Sequence, residues 1–211
     1  MEREVFMEAV LSIGLGYLFG SLSPSALVGR LNKTDVRKAG TGNLGATNTM
    51  LVLGWRAGIF VMVFDLMKSF LSGKLAQLLF PELGVAGMLA CIGSMVGHCF
   101  PVFHHFRGGK GLATFGGLAI YCGARYVPIL LAAGLAMMLL FDRTVAFPLT
   151  VSALLPLLLY AFGRSTAEIW TAVAAGVVLV LMHIGNLKKS IAGEEITHVR
   201  GYLKEKLFHK R

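Results

Sequence analysis

Long apolar stretches, separated by clusters of polar, glycine and proline residues, dominate this sequence. Seven can be drawn, at about 5–31, 58–80, 83–103, 111–122, 127–141, 145–162 and 168–185. A helix that crosses a bilayer needs about 20 predominantly apolar residues, because the hydrocarbon layer offers the backbone no hydrogen-bond partners. The last four stretches are shorter, so five to seven spans fit the pattern. The sequence predicts an all-α integral membrane protein with seven transmembrane helices, some of them short.

The composition excludes a soluble globular domain. Of the 211 residues, 55% are hydrophobic and only 15% are charged, and the mean hydropathy is +0.70. Such a chain cannot cover its surface with polar side chains. No basic leader with a short apolar core and a small-residue cleavage site opens the sequence, so we expect the first stretch to stay in the mature chain. We predict a single membrane-embedded domain over 1–211, ending in a basic cytoplasmic tail at 196–211.

Lysine and arginine are unevenly divided between the loops that seven spans would create. With the N-terminus outside, fifteen of the 20 basic residues fall on the cytoplasmic side and only three fall outside. Basic residues in short loops prefer the cytoplasmic side. The bias predicts a multi-pass plasma-membrane protein with its C-terminus in the cytoplasm. The same orientation places segments 32–57, 104–110 and 186 onward on the cytoplasmic face.

The three cysteines, Cys91, Cys99 and Cys122, lie inside or beside apolar stretches and lack the spacing of zinc ligands. We interpret them as packing residues. We predict no metal site, no cofactor and no nucleic-acid partner.

The segment RKAGTGNLGATN, at 37–48, combines two cations with a G-x-G-x-x-G pattern. A dinucleotide site would require a preceding strand and a βαβ unit, and neither is predicted. Glycines still let successive backbone N–H groups converge on an anion, and a helix beginning near Ala46 would add its positive end. The segment predicts a phosphate cradle; the alternative is a flexible loop joining two helices. The candidate residues are Thr41, Gly42, Asn43, Gly45, Ala46, Thr47 and Asn48.

The segment GHCFPVFHHFRGGKGLATFGG, at 97–117, places Arg107 and Lys110 on either side of Gly108 and Gly109. Two cations on a glycine hinge suit an anionic substrate, although a basic loop that caps a helix on the cytoplasmic side has the same composition. His98 lies about one turn inside the membrane end. A histidine there could make a helix–helix hydrogen bond or act as a catalytic base.

Three further places carry polar groups inside apolar stretches. Asp65 and Lys68 are three residues apart on one helical face and can pair; the pair could steady the bundle or orient the adjacent cytoplasmic loop. His183 and Asn186 close the last stretch and could hydrogen-bond a substrate or only end a helix. Ser21, near the cytoplasmic end of the first stretch, could pack helices or reach a ligand.

In chain order, these segments resemble the bacterial acyl-phosphate:glycerol-3-phosphate acyltransferase family, PlsY. The resemblance runs from about residue 20 to residue 195 and rests on three segments that are similar to the cytoplasmic motifs of the family. They are GSLSPSALVGRLNKTDVRKAGTGNLGATN, GHCFPVFHHFRGGKGLATFGG and HIGNLKKSIAGEE. Met182 and Ile184 flank His183 where the family usually carries basic residues, so the third motif is the weaker match.

The resemblance implies a membrane enzyme that moves a fatty acyl group from acyl phosphate to the sn-1 hydroxyl of glycerol 3-phosphate, giving lysophosphatidate and inorganic phosphate. It implies that the cradle holds acyl phosphate and that Arg37, Lys110, His183 and Asn186 grip glycerol 3-phosphate as the catalytic set. The other substrate-binding positions that we assign with it are Ser21, Lys68, His98, Arg107, Gly108 and Gly109. We expect a monomer in the lipid of the bacterial inner membrane, with its active site facing the cytoplasm.

Two other interpretations fit parts of the sequence. A small transporter for an organic phosphate would also use a basic cradle and intramembrane charges, but it would bind near mid-membrane between repeat halves, and no internal repeat is visible. A catalytically silent family member acting as a scaffold would explain the altered third motif. The His-x-x-x-x-Asp signature of other glycerolipid acyltransferases is absent from the sequence.

Overall fold

The computed structural model describes residues 2–193, and the basic tail predicted at 196–211 lies outside them. Every regular element in the described part is helical, which confirms the all-α fold class. The α-helices are α1 Glu2–Ser21, α2 Pro24–Leu31, α3 Ala46–Leu53, α4 Trp55–Leu79, α5 Ala86–Cys99, α6 Leu112–Cys122, α7 Tyr126–Phe141, α8 Ala146–Ala161 and α9 Thr166–Ile191. Single turns of 3-10 helix occur at Val36–Lys38 and Val102–His104.

Three helical stretches are long and apolar enough to cross a membrane: Glu2–Leu31, Ala86–His104 and Thr166–Ile191. The helices α6, α7 and α8 are apolar but shorter. Helix α4 has 25 residues and carries Asp65 and Lys68 in its middle. A helix therefore stands at each of the seven predicted stretches, while the number of spans and their direction stay predictions.

The first apolar stretch is broken in two, so the prediction of one helix over 5–31 is wrong. α1 ends at Ser21 and α2 begins at Pro24. Ser23 is the N-cap of α2, and its hydroxyl accepts a hydrogen bond from the N–H of Ala26 at 3.2 Å. Proline has no N–H and disfavours the helical conformation in the residue before it, so it fits the first turn of a new helix better than the interior of an old one.

Helices α1 and α5 pack along a seam of glycines. Gly16 and Gly20 lie one turn apart on α1, and Gly93 and Gly97 lie one turn apart on α5. A β-carbon on any of them would collide with backbone of the opposite helix. This is the close approach that small-xxx-small patterns allow between membrane helices. Neither glycine pair is among the features predicted from the sequence.

The chain up to Ala124 forms one compact unit, which contains α1 to α6. In it α4 packs against α3, α5 and α6. Fully buried side chains fill its interior, among them Phe115, Met88 and Leu118. The unit includes both polar segments, 32–45 and 101–111, that carry most of the predicted site residues.

The described residues from Arg125 to Gly193 belong to a second compact unit. Here α8 packs against both α7 and α9. Helix α9 runs from Thr166 to Ile191, beyond both ends of the predicted stretch at 168–185. It begins earlier because Ser165 and Glu168 form a capping box, each side chain accepting a hydrogen bond from the backbone N–H of the other. The single-domain assignment stays a prediction.

Candidate active site

The glycine-rich segment has a defined backbone that leads into a helix. The carboxylate of Asp35 accepts a hydrogen bond from the N–H of Arg37 at 3.1 Å and caps the 3-10 turn. Gly40 and Gly42 then have φ of +61° and +73°, in the left-handed region that glycine adopts without steric cost. α3 begins at Ala46, where the sequence predicts a helix start.

The side chain of Asn48 closes this segment on itself. It is 1% exposed. Its oxygen accepts from the N–H of Thr41 at 2.6 Å, and its amide nitrogen donates to the carbonyls of Val36 and Asn43 at 2.6 and 3.0 Å. Asn48 thus fixes the shape of the cradle, residues 41–48. Its direct contact with a substrate stays a prediction.

The first turn of α3 is open to an anion. Gly45 is the N-cap, and no side chain in the described part of the chain caps this turn. N–H groups in the first turn of a helix have no partner within the helix, and they carry the positive end of its dipole. The N–H of Thr41, by contrast, already donates to Asn48. The amides of Ala46 and Thr47 are therefore the best placed in the cradle to meet a phosphate oxygen.

The polar side chains of the cradle stay near its surface. The amide nitrogen of Asn43 donates to the carbonyl and the hydroxyl oxygen of Thr41 at 3.1 and 3.3 Å. Thr41 and Thr47 are exposed, and Asn43 is half-buried. These groups can turn toward a ligand without breaking the core of the unit.

Two cationic cavities lie against this segment, and Arg37 lines both. Their volumes are about 370 and 350 Å³. The larger is also lined by Ala26, Arg30, Lys33, Thr34, Asp35, Val36, Leu44 and His104, and the smaller by Asp35, Lys38, Gly42 and Arg107. In each, three lysine or arginine side chains accompany a single carboxylate, so both cavities suit an anionic ligand.

Arg37 and Asp35, which both line the two cavities, form an ion pair. The guanidinium donates from Nε to Oδ1 and from Nη2 to Oδ2, both at 3.0 Å. The hydrogen bonds from Arg37 lower the pKa of the Asp35 carboxyl, and the hydrogen bond to Asp35 raises the pKa of the Arg37 guanidinium. The side chains are 35% and 33% exposed, so the pair is open to exchange with a ligand.

The cradle is bonded to the second basic segment, the Gly-Gly loop at 104–110. The N–H of Leu44 donates to the carbonyl of Gly108 at 3.2 Å. Gly108 and Gly109 in turn donate to the carbonyls of Cys99 and His98 at 3.1 and 3.0 Å. A β-carbon on Gly108 would collide with the carbonyl of His98. The close backbone contacts at Gly108 therefore leave no room for a side chain, and the substrate contacts predicted for Gly108 and Gly109 stay predictions.

Lys110 follows the Gly-Gly pair and is half-buried, whereas Arg107 is exposed and lines the smaller cavity. The described residues therefore bring Arg37, Gly42 and Arg107 together at one cavity. The substrate contacts that we assign to all of these side chains stay predictions.

Asp65, Lys68 and His98 form a buried polar network that joins α4 to α5 and to the end of α1. Nζ of Lys68 lies 2.7 Å from Oδ1 of Asp65 and donates to the carbonyls of Gly20 and Leu22 at 2.9 and 2.8 Å. Nδ1 of His98 lies 3.2 Å from both Oδ1 of Asp65 and Nζ of Lys68. The local pairing of Asp65 with Lys68 is as predicted. The carbonyls of Gly20 and Leu22 lie at the break between α1 and α2.

The remaining predicted residues lie in other surroundings. Ser21 is fully buried, and its hydroxyl has no hydrogen-bond partner in the described part of the chain. In the second unit His183 is 5% exposed, with Nδ1 at 2.8 Å from the carbonyl of Leu179. Asn186 is half-buried one turn further along α9. Their roles in binding stay predictions.

Sequence reasoning missed several residues that line the cavities. Asp35, Arg30, Lys33, Lys38 and His104 are among the lining residues, and none was singled out. A signal for Asp35 was present, since an aspartate two residues before Arg37 can cap a turn and hold the guanidinium at once. The basic residues carried no signal beyond the general excess of positive charge in this loop.

Comparison with known proteins agrees with this geometry. The sequence model of the family described as glycerol-3-phosphate acyltransferase matches residues 10–193. The glycerol-3-phosphate acyltransferase of Desulfotalea psychrophila is 33% identical over 184 residues, which cover 86% of this chain and 93% of that protein.

Two crystal structures of PlsY, an integral membrane glycerol 3-phosphate acyltransferase, are also similar. The glycerol 3-phosphate form has a TM-score of 0.83 and 26% identity, covering 92% of this chain and 98% of that chain. The lysophosphatidic acid form has a TM-score of 0.81 and 26% identity, covering 90% of this chain and 94% of that chain. On the match of family, sequence and fold, this chain belongs to the glycerol-3-phosphate acyltransferase family.

Proposed function

We propose that this chain transfers a fatty acyl group from acyl phosphate to the sn-1 hydroxyl of glycerol 3-phosphate, giving lysophosphatidate and inorganic phosphate. The observation that carries the proposal is the pair of cationic cavities that share Arg37 beside the uncapped start of α3. Support comes from the family of the chain and from the substrate-like and product-like ligands named for the two PlsY structures.

The reaction requires two anion sites because both substrates carry a phosphoryl group. Phosphate is a good leaving group, so its departure depends more on neutralising charge than on a strong acid. Fixed N–H dipoles and nearby cations do this without reorganising. In this proposal the cradle holds the acyl phosphate, with the amides of Ala46 and Thr47 facing the phosphoryl oxygens.

The chemical step joins the two bound substrates directly. The sn-1 hydroxyl oxygen forms a bond to the acyl carbonyl carbon, the bond from that carbon to the phosphate oxygen breaks, and the hydroxyl proton passes to a phosphate oxygen of a substrate. No acyl-enzyme is needed. Holding two reactants in line lowers the barrier by several kcal/mol, up to about 7–11 in favourable systems.

In this proposal Arg37, Lys110, His183 and Asn186 hold glycerol 3-phosphate. The two-pronged guanidinium of Arg37 can exchange Asp35 for a phosphate, which has a similar arrangement of oxygens. The remaining positions that we assign to substrate binding are Ser21, Lys68, His98, Arg107, Gly108 and Gly109. The buried members of this set act on the substrates through the loops that they hold.

We also propose that the chain works as a monomer in the bacterial inner membrane with this site on the cytoplasmic side. The excess of lysine and arginine in segments 32–57 and 104–110 supports this direction.

The proposal is tested with purified protein in lipid, supplied with palmitoyl phosphate and glycerol 3-phosphate. We expect release of inorganic phosphate together with formation of lysophosphatidate. Acyl-CoA serves as the alternative donor. Turnover with acyl-CoA and none with palmitoyl phosphate would contradict the donor assignment, and no turnover with either would favour the scaffold interpretation.

The site assignment is tested with Lys110→Ala and Asn43→Ala, which should abolish turnover in protein that remains folded in detergent. Arg56→Ala is the control, because Arg56 is an exposed cation at the start of α4 that stacks on Trp55 and lines neither cavity. It should keep its activity. Rates like those of the wild type in either test variant would remove that residue from the site.

A further inference from the structure

The buried network of Asp65, Lys68 and His98 is not explained by direct contact with a substrate. The three residues are 1%, 4% and 6% exposed. Burying charged groups is costly unless they are paired and hydrogen-bonded. Their arrangement therefore calls for a task that can be done from inside the helix bundle.

The ammonium of Lys68 is fully used within the protein. It has three N–H groups and four neighbouring acceptor atoms within 3.2 Å: Asp65 Oδ1, the carbonyl oxygens of Gly20 and Leu22, and Nδ1 of His98. Those carbonyls lie at the break between α1 and α2, where they have lost helical partners. Lys68 replaces these partners and leaves no proton for a substrate.

Nδ1 of His98 lies within reach of both charged groups of the pair. It is 3.2 Å from Nζ of Lys68 and 3.2 Å from Oδ1 of Asp65. In one tautomer Nδ1 accepts a hydrogen bond from Lys68, and in the other it carries a proton that faces Asp65. In both cases the Asp65–Lys68 pair holds one edge of the imidazole ring in place.

The other edge of the ring supports the Gly-Gly loop. A β-carbon on Gly109 would collide with Nε2 of His98, so this atom lies directly against the Gly109 backbone. The N–H of Gly109 also donates to the carbonyl of His98 at 3.0 Å. His98 thus contacts the residue next to Lys110 with both its ring and its backbone.

We propose that Asp65, Lys68 and His98 are a positioning network that fixes the backbone of Gly109, and with it the point from which the Lys110 side chain extends. His98 is a positioning residue in this scheme and transfers no proton during the reaction. The inference rests on the proposed function, in which Lys110 binds a substrate phosphate.

His98 could act by positioning the loop or by transferring a proton. Replacing it with asparagine and with alanine distinguishes these two roles. The side-chain amide of asparagine reaches about the place of Nδ1 and can either accept from Lys68 or donate to Asp65, but it does not titrate. We expect His98→Asn to keep kcat/KM within about threefold of the wild type, with an unchanged pH profile. A threefold change corresponds to a smaller free energy than a typical hydrogen bond contributes. His98→Ala should lose about 10²-fold, as displaced catalytic groups do. An asparagine variant as inactive as the alanine variant would overturn the proposal.

A matched control is His105→Asn. His105 is exposed and has φ of +55°, a left-handed conformation that asparagine tolerates well. The His105→Asn variant should have the activity of the wild type.

Contact between the ring and the loop is tested by a double-mutant cycle. Gly109→Ala should lower activity because the added methyl group collides with Nε2 of His98. Asparagine has no atom at Nε2, so Gly109→Ala should cost less activity in the His98→Asn background than in the wild type. Equal losses in the two backgrounds would contradict the contact.

Alkylation of Cys99 tests the network without any turnover. Cys99 is 3% exposed, and its Sγ would lie 3.2 Å from a β-carbon on Gly111, at the end of the same loop. With Cys91 and Cys122 replaced by alanine, a maleimide should label Cys99 faster in His98→Ala than in the parent, and at the parent rate in His98→Asn. Equal rates in all three would contradict the network. Because labelling needs no substrate, an inactive parent enzyme would refute the proposed function and leave this test intact.

Discussion

At the scale of single residues, two asparagines in the cradle have opposite environments. The side chain of Asn48 is buried and bonded to three backbone groups, whereas the side chain of Asn43 is half-buried and donates to the carbonyl and the hydroxyl oxygen of Thr41. The sequence places both among the substrate-binding candidates and gives no reason to separate them. The tertiary contacts indicate that one shapes the loop and that the other is available to a ligand.

This difference predicts distinct phenotypes. Asn48→Ala should lower the free energy of unfolding by roughly 1–3 kcal/mol, because buried backbone groups lose their partners. Asn43→Ala should change it by less than about 0.5 kcal/mol, as expected at a site without buried partners, while turnover is lost. Thermal unfolding in detergent, measured beside the activity assay, checks both. Equal loss of stability in the two variants would contradict the separation.

At the scale of helices, close glycine contacts decide how α1 and α5 meet. Gly16 faces the backbone of Ala90, and Gly20 faces that of Ser94. Lipid tails are as apolar as the side chains that they contact, so moving a side chain from lipid into a helix interface releases little free energy. Close packing therefore contributes much of the attraction between helices. Ser21, the last residue of α1, and His98, in the last turn of α5, lie at the end of this seam.

The seam gives a test with a control in the same helix. Gly16→Ala should lower the free energy of unfolding by roughly 1–3 kcal/mol, the usual cost of overpacking. Gly14→Ala should be neutral or slightly stabilising, because no atom lies within 4 Å of its β-carbon position and alanine has the higher helix propensity. Thermal unfolding of the two variants in one detergent measures the difference. Similar stability in both would show that the helices do not meet at Gly16.

At the scale of the whole molecule, the distribution of charge predicts the orientation of the chain in the membrane. The net charge is +9, and the two cationic cavities lie in a segment that the charge bias assigns to the cytoplasm. If the reaction uses soluble glycerol 3-phosphate from the cytoplasm, this direction is required for activity in the cell.

Direction is measured by labelling introduced cysteines in intact cells. In a background without native cysteines, Glu82→Cys should react with a membrane-impermeant maleimide, and Asn32→Cys should react only after the cells are opened. Both positions are exposed, so burial does not limit the labelling. The reverse pattern would place the cavities on the outer side.

Features that depend on residues close together in the chain could be predicted from the sequence. The apolar stretches, the start of α3 at Ala46 and the pairing of Asp65 with Lys68 depend on neighbours within one helix or loop, and local order predicts them. The break at Ser23 and Pro24 and the capping box at Ser165 also depend on local residues, although neither is among the features predicted from the sequence.

The sequence by itself determined the helical class, the membrane character and the family, because hydropathy and motif spacing are properties of the chain. Only the tertiary structure decided that Lys68 bonds to Gly20 and Leu22, that His98 supports Gly109 from beneath, and that the cradle is tied to Gly108. Lys68 lies 48 and 46 residues from its carbonyl partners. Such pairings exist only after helices pack, since burial brings the groups together and makes each unpaired polar atom costly.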